Sequence, residues 1–587
     1  MTTKHFINDG TTLVQDALHG LALSNPAVRY DEDIKAIINP LHDGDKSVTI
    51  ISGGGAGHEP SFVGLVGDGL LSAAVSGSIF ASPSVHQIQS TIARVGGSAG
   101  ILLVIMNYTG DVLHFHLAAE KARLAGFDTA VLVVGDDVAV GRRKSGKVGR
   151  RGLAGTVLVE KVLGALAKQG NMTLKGLHQA GEDAVNNLAT IGAALDHVHI
   201  VGKPIAGLSE NVDQVEVGMG IHNEPGCYVI KPQPAISELI SQMLDKLLDA
   251  NDADRAYISI SKDDNICLMV NNLGGVSNIE FSAIAKIVVQ QLELRDYKPV
   301  RIFSGGFMTS LDGKGFSITL LKASSQVLQA LDAPASAPGW KVMPTLPGND
   351  FQTRNRLPAN LDTSKAEIST RLTSQLKVNE KELTASLKRA CDGLITAETE
   401  IDRLDSAVGD GDCGSTLART ARAILQEIFN NDEYTSKNGD VIGYLETLGL
   451  VVENNMDGTS GALFAIFLNA LAASLLEIGN KLKEERIVDR EEWVEASVDA
   501  LHAVRQATPA RVGDRTIMDA LEPFISSLQQ GKSIAVALDA ARKGRDSTKG
   551  MSASLGRAVY VPEAEWFKVP DPGAVGLVCL LEGLLNL

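Results

Sequence analysis

The stretch SVTIISGGGAGHEP, residues 47–60, decides the fold class of the first part of the chain. Its opening SVTII is a short apolar strand pattern that ends in glycines. Those glycines permit a sharp turn and close approach of the backbone to a ligand, which makes Gly55, Ala56 and Gly57 candidate binding residues. His58 is then expected at the carboxyl end of a parallel strand, where open α/β sheets bind ligands. The glycines are not spaced as GxGxxG, so a dinucleotide site is not supported.

Working outward, ILLVIM (101–106) and AVLVV (130–134) read as further strands, with helical patterns between them and across 112–124. Continuous apolar strands alternating with helices predict a parallel sheet covered on both faces, placed in a first α/β lobe over 1–195. A second, mixed α/β lobe is expected over 196–335, from alternating stretches such as 214–219 and 256–260. Five prolines between 334 and 358 resist helix and sheet and predict a linker over 336–380. Beyond it, stretches at 381–403, 417–430, 463–481, 491–506, 517–529 and 533–542 carry apolar residues near a 3.6 spacing. The expectation for 381–587 is an all-α domain without strands.

The chain has 587 residues, with 54 Lys+Arg against 70 Asp+Glu, a net charge of −16. That balance argues against nucleic acid or an anionic membrane surface as the main partner, but not against a small anion. Glycine, at 58 residues, exceeds the usual share of about 7%. The five cysteines are widely spaced and form no CxxC pair, which argues against disulfides or zinc and for a reducing compartment. No signal-peptide pattern opens the sequence, and the most apolar run, 461–476, reads as a buried helix. A soluble, cytoplasmic protein is expected.

Several further segments carry candidate chemistry. Asp111, in MNYTGD (106–111), follows a strand and opens a helix, where an aspartate is an N-cap by default. Together with His58 at the same sheet edge it forms a candidate acid–base pair. GMGIHNEPG (218–226) places His222 at the end of a strand-like run, as a half-buried histidine or as a nucleophile. GRRKSGKV (141–148) matches GxxxxGK but puts Val148 where a phosphate loop needs Ser or Thr. A solvated basic loop around Arg142, Arg143, Lys144, Arg150 and Arg151 is the better reading.

The strongest signal is LDSAVGDGDCGST (404–416) between two helices. Asp405, Asp410 and Asp412 crowd three carboxylates together, which repel unless a hard cation such as Mg²⁺ or Ca²⁺ neutralises them. Ser415 or Thr416 is expected to cap the following helix, whose amides offer an anion site. MDGTSGA (456–462) repeats the logic with Thr459, Ser460 and Gly461. GDRTIMDAL (513–521) adds Arg515 for a phosphate, and PDPGA (570–574) is a helix start or a plain turn. A metal site beside a phosphate site suggests a Mg–nucleotide.

Taken together, SGGGAGHEP, NYTGD, GMGIHNEPG, GDGDCGST, GTSGA and PDPGA, in that order over essentially the whole chain, resemble the ATP-dependent dihydroxyacetone kinases of the single-chain, two-domain type. The resemblance implies an α/β triose-binding part of two lobes and an eight-helix barrel that binds Mg–ATP. It implies that His222 adds covalently to the substrate carbonyl as a hemiaminal. His58 and Asp111 then handle the proton of the hydroxyl being phosphorylated. Gly55, Ala56, Gly57, His58, Asp111 and the backbone of Met106 contact the triose. Asp405, Asp410 and Asp412 hold the metal. Asp412, Cys413, Gly414, Ser415, Thr459, Ser460, Gly461, Arg515, Asp571, Pro572 and Gly573 line the ATP site. The implied substrates are dihydroxyacetone and D-glyceraldehyde, and the implied assembly is a homodimer. Met106 stands where many relatives carry Lys, and Cys413 where some carry His. Two other readings are an FAD-cleaving lyase forming cyclic FMN in the helical domain, and a non-catalytic triose-binding regulator.

Overall fold

The computed structural model describes residues 5–7, 9–201, 213–341, 374–430, 439–553 and 568–586. Most of the proline-rich stretch expected as a linker lies outside them. The chain divides into two compact units, Met1–Asn360 and Leu361–Leu587.

The first unit contains two six-stranded sheets. In the first, β1 (Arg29–Asp31), β2 (Ala36–Ile38), β3 (Thr49–Ala56), β4 (Ala73–Ile79), β5 (Ile101–Met106) and β6 (Thr129–Val134) lie in the order β1-β2-β4-β3-β5-β6. Strands β4, β3, β5 and β6 are parallel neighbours, while β1 and β2 form an antiparallel extension. The sheet is therefore mixed at one edge rather than wholly parallel. Helices α1 (Leu13–Ser24), α2 (Val85–Val95) and α3 (Thr109–Leu124) belong to the same lobe.

Strand β5 shows why this sheet is buried on both faces. Ile101, Leu103 and Ile105 pack with Ile88 and Ile92 of α2 and Phe115 of α3, while Leu102, Val104 and Met106 join a second core. Successive side chains point to opposite faces, so an unbroken apolar run is what two covering layers require. That second core is centred on α4 (Gly155–Lys168), buried from Gly155 to Ala167. Its residues Val157, Leu158, Val162, Leu163 and Leu166 join that core, and the helix is buried all round, as one between two layers must be. Helix α5 (Leu174–Asn186) follows and packs on β5 and β6.

On its other side α4 meets the second sheet. There β7 (Leu188–Ala194), β8 (Val215–Val217), β9 (Tyr228–Ile230), β10 (Ile266–Asn272), β11 (Pro299–Gly305) and β12 (Gly315–Lys322) run in the order β11-β10-β12-β7-β8-β9. Only β10 and β11 pair parallel. Helices α6 (Ile236–Leu248) and α7 (Asn278–Glu293) cover the far face, and α8 (Ser325–Asp332) packs on α4. Strand β7 pairs with β12, so the sheets part before residue 188 rather than at 195. The alternating stretch 256–260 is irregular backbone and not a strand.

The second unit is helical: α9 (Glu380–Asp405), α10 (Cys413–Asn430), α11 (Val441–Asn455), α12 (Gly458–Asn480), α13 (Arg490–Ala507), α14 (Met518–Gln529), α15 (Ile534–Ser547) and α16 (Pro572–Leu585). Each packs on the next, and α16 returns to α9, so the eight helices of the described residues close a ring. Contrary to the expectation of no strand, β13 (Leu376–Lys377) and β14 (Arg486–Ile487) form a two-residue parallel pair. Helix α12 is long and apolar enough to cross a membrane by length and composition, yet it packs between α11 and α13. Gly461, Leu471, Ala472, Ser474, Leu475 and Gly479 are its buried positions, so the expected buried helix is only partly enclosed.

Candidate functional site

In the first unit, three segments distant in sequence meet. Strand β3 ends at Ala56, and Gly57 turns the chain at φ +102°, a conformation glycine adopts without strain. A Cβ on Gly55 would stand 2.7 Å from the Ala81 amide, so no side chain fits there. His58 follows and is fully buried; its Nδ1 lies 2.9 Å from the Thr309 carbonyl, in the loop between β11 and β12. The two loops are joined further by Leu311 N–H to the Gly57 carbonyl (2.8 Å) and Thr309 Oγ1–H to the Glu59 carbonyl (2.8 Å).

His222 comes from the loop after β8 and places its Nε2 3.0 Å from His58 Nε2. Its Nδ1 lies 3.0 Å from Glu224 Oε1, while Glu224 Oε2 accepts the His222 backbone N–H at 2.9 Å. The Tyr108 ring meets the His222 ring edge-on, and Phe80 stacks on His58. Burial, with the charge of His222, pushes the His58 pKa down to about 3. Burial alone would raise the Glu224 carboxyl, but the hydrogen bonds and charge of His222 hold it at about 2.

Asp111 is in the first turn of α3, not at its N-cap, which is Tyr108. The default cap reading is therefore wrong: its carboxyl is buried, bonded by Ser82, and leaves Oδ1 without a partner. Burial raises its pKa, with Ser82, His222 and His114 pulling it back. Met106 is buried at the end of β5 with its side chain in the core, and its carbonyl accepts from the Tyr108 N–H at 2.8 Å. Ala56 is likewise buried.

Sequence reading missed Glu224, Thr309, Phe80 and Tyr108. Glu224 stood two residues from His222 in a motif already singled out, while Thr309 and Phe80 had no local signal. The solvated basic loop holds for Arg142, Arg143 and Lys144, which are exposed, but not for Arg150 and Arg151, which are half-buried. Arg151 pairs with the buried Asp137 at 2.7 Å and donates to the Gly218 carbonyl ahead of His222. Arg142 and Arg150 lie over the Tyr257 ring. Residues 141–148 are turns with no helix before Gly155, so no phosphate loop forms.

In the second unit, Asp405, Asp410 and Asp412 bring carboxylate oxygens within 4.8 Å of one another. Asp405 closes α9, and its Oδ2 accepts from the amides of Gly411 (3.0 Å), Asp412 (3.0 Å) and Cys413 (3.2 Å). These are amides at the start of α10 that a cap must satisfy, so neither Ser415 nor Thr416 is the cap. Ser415 instead donates both N–H (2.9 Å) and Oγ–H (2.5 Å) to Asp402. A Cβ on Gly414 would lie 2.1 Å from the Glu398 carbonyl, which is why α10 can start this close to α9. Three hard oxygen donors in one loop fit Mg²⁺. Burial and the surrounding aspartates push the Cys413 thiol up to about 12.

Asp571 is the N-cap of α16, accepting from the Ala574 N–H at 2.8 Å with Pro572 in the first turn. PDPGA is thus a helix start, not a plain turn, and Gly573 sits inside it. Burial raises the Asp571 pKa to about 6, with Arg515 and Asp405 among the charges it feels. Arg515 is nearly fully buried at φ +59°; its Nη2 donates to the Val569 carbonyl at 2.7 Å, while Nε and Nη1 have no partner. Buried, unpaired guanidinium nitrogens call for an anion. Thr459 and Ser460 lie in the first turn of α12 behind Asp457, whose side chain makes no cap bond there but pairs with Arg419 of α10 at 2.7 Å. A Cβ on Gly461 would lie 1.7 Å from the Met456 carbonyl.

An α/β unit with a buried histidine against a half-buried one and a helical ring with a carboxylate loop are the two modules that family models recognise. The Dak1 domain matches residues 19–339 and the DAK2 domain matches 407–586. The dihydroxyacetone kinase of Komagataella pastoris is 42% identical over 100% of this chain and 98% of its own. Human triokinase/FMN cyclase is 35% identical over 100% and 99%. The crystal structure of the C. freundii dihydroxyacetone kinase in complex with AMP-PNP and Mg²⁺ is 31% identical, covers all of both chains and superimposes with a TM-score of 0.62. The chain belongs to the dihydroxyacetone kinase family.

Proposed function

We propose that the chain transfers the γ-phosphate of ATP to dihydroxyacetone, giving dihydroxyacetone phosphate and ADP. The observation that carries this reading is the convergence of His58, Asp111 and His222 at one buried place in a chain that also holds the Asp405, Asp410 and Asp412 cluster. His222 Nε2 adds to the carbonyl carbon and holds the triose as a hemiaminal, which selects a carbonyl compound over glycerol. The unpartnered Oδ1 of Asp111 offers an acceptor to the hydroxyl that receives the phosphate, and His58 shares the handling of its proton.

In the helical unit Asp405, Asp410 and Asp412 would hold Mg²⁺, which when bound neutralises phosphate charge and stabilises the transferring phosphoryl group. The starts of α10, α12 and α16, with Arg515, orient the phosphates through backbone N–H groups and the guanidinium. This assigns ATP contacts to Asp412, Cys413, Gly414, Ser415, Thr459, Ser460, Gly461, Asp571, Pro572 and Gly573. Triose contacts fall to Gly55, Ala56, Gly57 and the Met106 backbone. The AMP-PNP and Mg²⁺ complex of the C. freundii relative supports this reading.

D-glyceraldehyde, also a carbonyl triose, is a second substrate on the same logic. A homodimer and a cytoplasmic site of action complete the proposal; five unpaired cysteines support a reducing compartment. A coupled assay of ADP release, run with dihydroxyacetone, D-glyceraldehyde and glycerol, tests the function. Release is expected with the first two and not with glycerol; release with glycerol equal to that with dihydroxyacetone overturns the carbonyl-based reading.

A further inference from the structure

We propose that Glu224 is a positioning residue that keeps a proton shared between the Nε2 atoms of His222 and His58, and that this proton goes to the carbonyl oxygen when the adduct forms. The proposal rests on His222 as the residue that adds to the carbonyl.

Four ring nitrogens share the protons of this pair. The Thr309 carbonyl can only accept, so the His58 Nδ1 facing it at 2.9 Å carries a hydrogen. Both oxygens of the Glu224 carboxylate accept as well, one from the His222 backbone N–H and one from His222 Nδ1, so that nitrogen also carries a hydrogen. Two neutral imidazoles have no hydrogens left, yet their Nε2 atoms stand 3.0 Å apart. Two lone pairs do not approach so closely, so a third proton lies between them. His222 is its owner: a carboxylate lies against His222, whereas His58 is buried against Phe80 and a carbonyl. His222 is thus an imidazolium donating to the His58 Nε2 lone pair, with Glu224 as its counter-ion.

The atoms balance without any added reagent. As the His222 Nε2–C bond forms, the Nε2–H bond breaks, His58 Nε2 takes the proton, and His58 passes it to the carbonyl oxygen, which becomes the hemiaminal hydroxyl. His222 ends as an N-alkylimidazolium with hydrogen on Nδ1, still paired with ionised Glu224, so net charge is unchanged. His58 Nε2 recovers its lone pair and is free for the later hydroxyl proton. The other ionisable groups facing this pair are Asp111 of α3 with His114 beside it, Tyr108 before that helix, and Arg151 paired with Asp137 next to Asp136. Among the described residues, none of them hydrogen-bonds to either imidazole.

The test uses the full chain with ¹⁵N-histidine, and Glu224→Gln, which carries no charge and whose single amide oxygen can accept only one of the two hydrogens that the carboxylate accepts from His222. Without substrate, two-bond ¹H–¹⁵N spectra are expected to show both His222 nitrogens protonated in the wild type at pH 7–8. In the variant the imidazolium, without its counter-ion, is expected to give up one of those two protons at lower pH than in the wild type. With [2-¹³C]dihydroxyacetone, the variant's tetrahedral carbon signal is expected to fall about tenfold at pH 8 and to recover toward pH 6, while the wild type stays flat. An unprotonated His222 Nε2 in the free wild type at pH 7, or identical pH profiles for the two proteins, overturns the proposal. The wild-type nitrogen titration decides even if the variant does not fold. A wild type with the shared proton but no tetrahedral signal at any pH instead refutes the reading of His222 as the adduct-forming residue, so the two failures are distinguishable.

Discussion

Replacing Arg515 with Met separates stability from nucleotide binding in the helical unit. The guanidinium is buried with Nε and Nη1 unpartnered, and only Nη2 is bonded, to the Val569 carbonyl at 2.7 Å. Each unsatisfied buried nitrogen costs about 1–3 kcal/mol, and the single charged hydrogen bond returns about 1.5–3 kcal/mol. Methionine keeps much of the apolar stem and the same φ of +59°, so backbone strain cancels between the two proteins. With two such nitrogens the balance for the nucleotide-free variant runs from about 1 kcal/mol less stable than the wild type to about 4.5 kcal/mol more stable. At about 2–4 °C per kcal/mol for a unit of this size, that is between a fall of about 4 °C and a rise of about 18 °C in its calorimetric transition. With Mg–ATP the wild type gains on the variant. At a hundredfold excess over Kd, ATP adds about 2.7 kcal/mol to the wild type, and the variant loses most of that increment. A free-form transition lowered by more than 5 °C (about 2 kcal/mol) with an intact ATP increment would refute the reasoning, because it would make Arg515 structural.

Glu160, fully buried in α4 with both carboxyl oxygens unpartnered, has its pKa pushed up to about 8 by burial. A carboxyl at 4.5 when unfolded and about 8 when folded loses stability as pH rises between those values. Glu160→Gln is therefore expected to gain on the wild type by about 1.4 kcal/mol per pH unit across that window, read from urea midpoints, with no further gain above pH 8. Gly414→Ala puts a methyl 2.1 Å from the Glu398 carbonyl, so it should destabilise the helical unit by about 1–3 kcal/mol. Mg²⁺ affinity, measured calorimetrically, is expected to fall with it, because α10 must move away from the Asp402 and Asp405 frame.

The fold was legible where a pattern is long enough to repeat. The apolar run 101–106 and the helical spacing of 381–403 became β5 and the core of α9 because burial on fixed faces leaves a period in the sequence. Elements too short for a period escaped, among them the three-residue strands β1 and β2 and the two-residue β13 and β14. Helix α4 shows the opposite limit: buried on all sides, it gave no face, and its role between two sheets is a tertiary fact. At the site, residues beside a motif could be found, but their partners across space could not. His58 and His222 stood out singly, whereas their contact, across a sequence separation of 164, depends on the chain between them folding into two sheets. Arg151 read as part of a solvated basic loop because nothing local encodes its pairing with the buried Asp137.

The central claim, that this chain phosphorylates a triose held by His222, is tested most directly by ³¹P NMR of one mixture containing the protein, Mg–ATP and dihydroxyacetone. The wild type is predicted to convert ATP into equal amounts of ADP and a triose phosphomonoester, and His222→Ala to bind Mg–ATP while producing no phosphomonoester above background. Inorganic phosphate in place of the phosphomonoester, or a His222→Ala variant as fast as the wild type, would contradict the account.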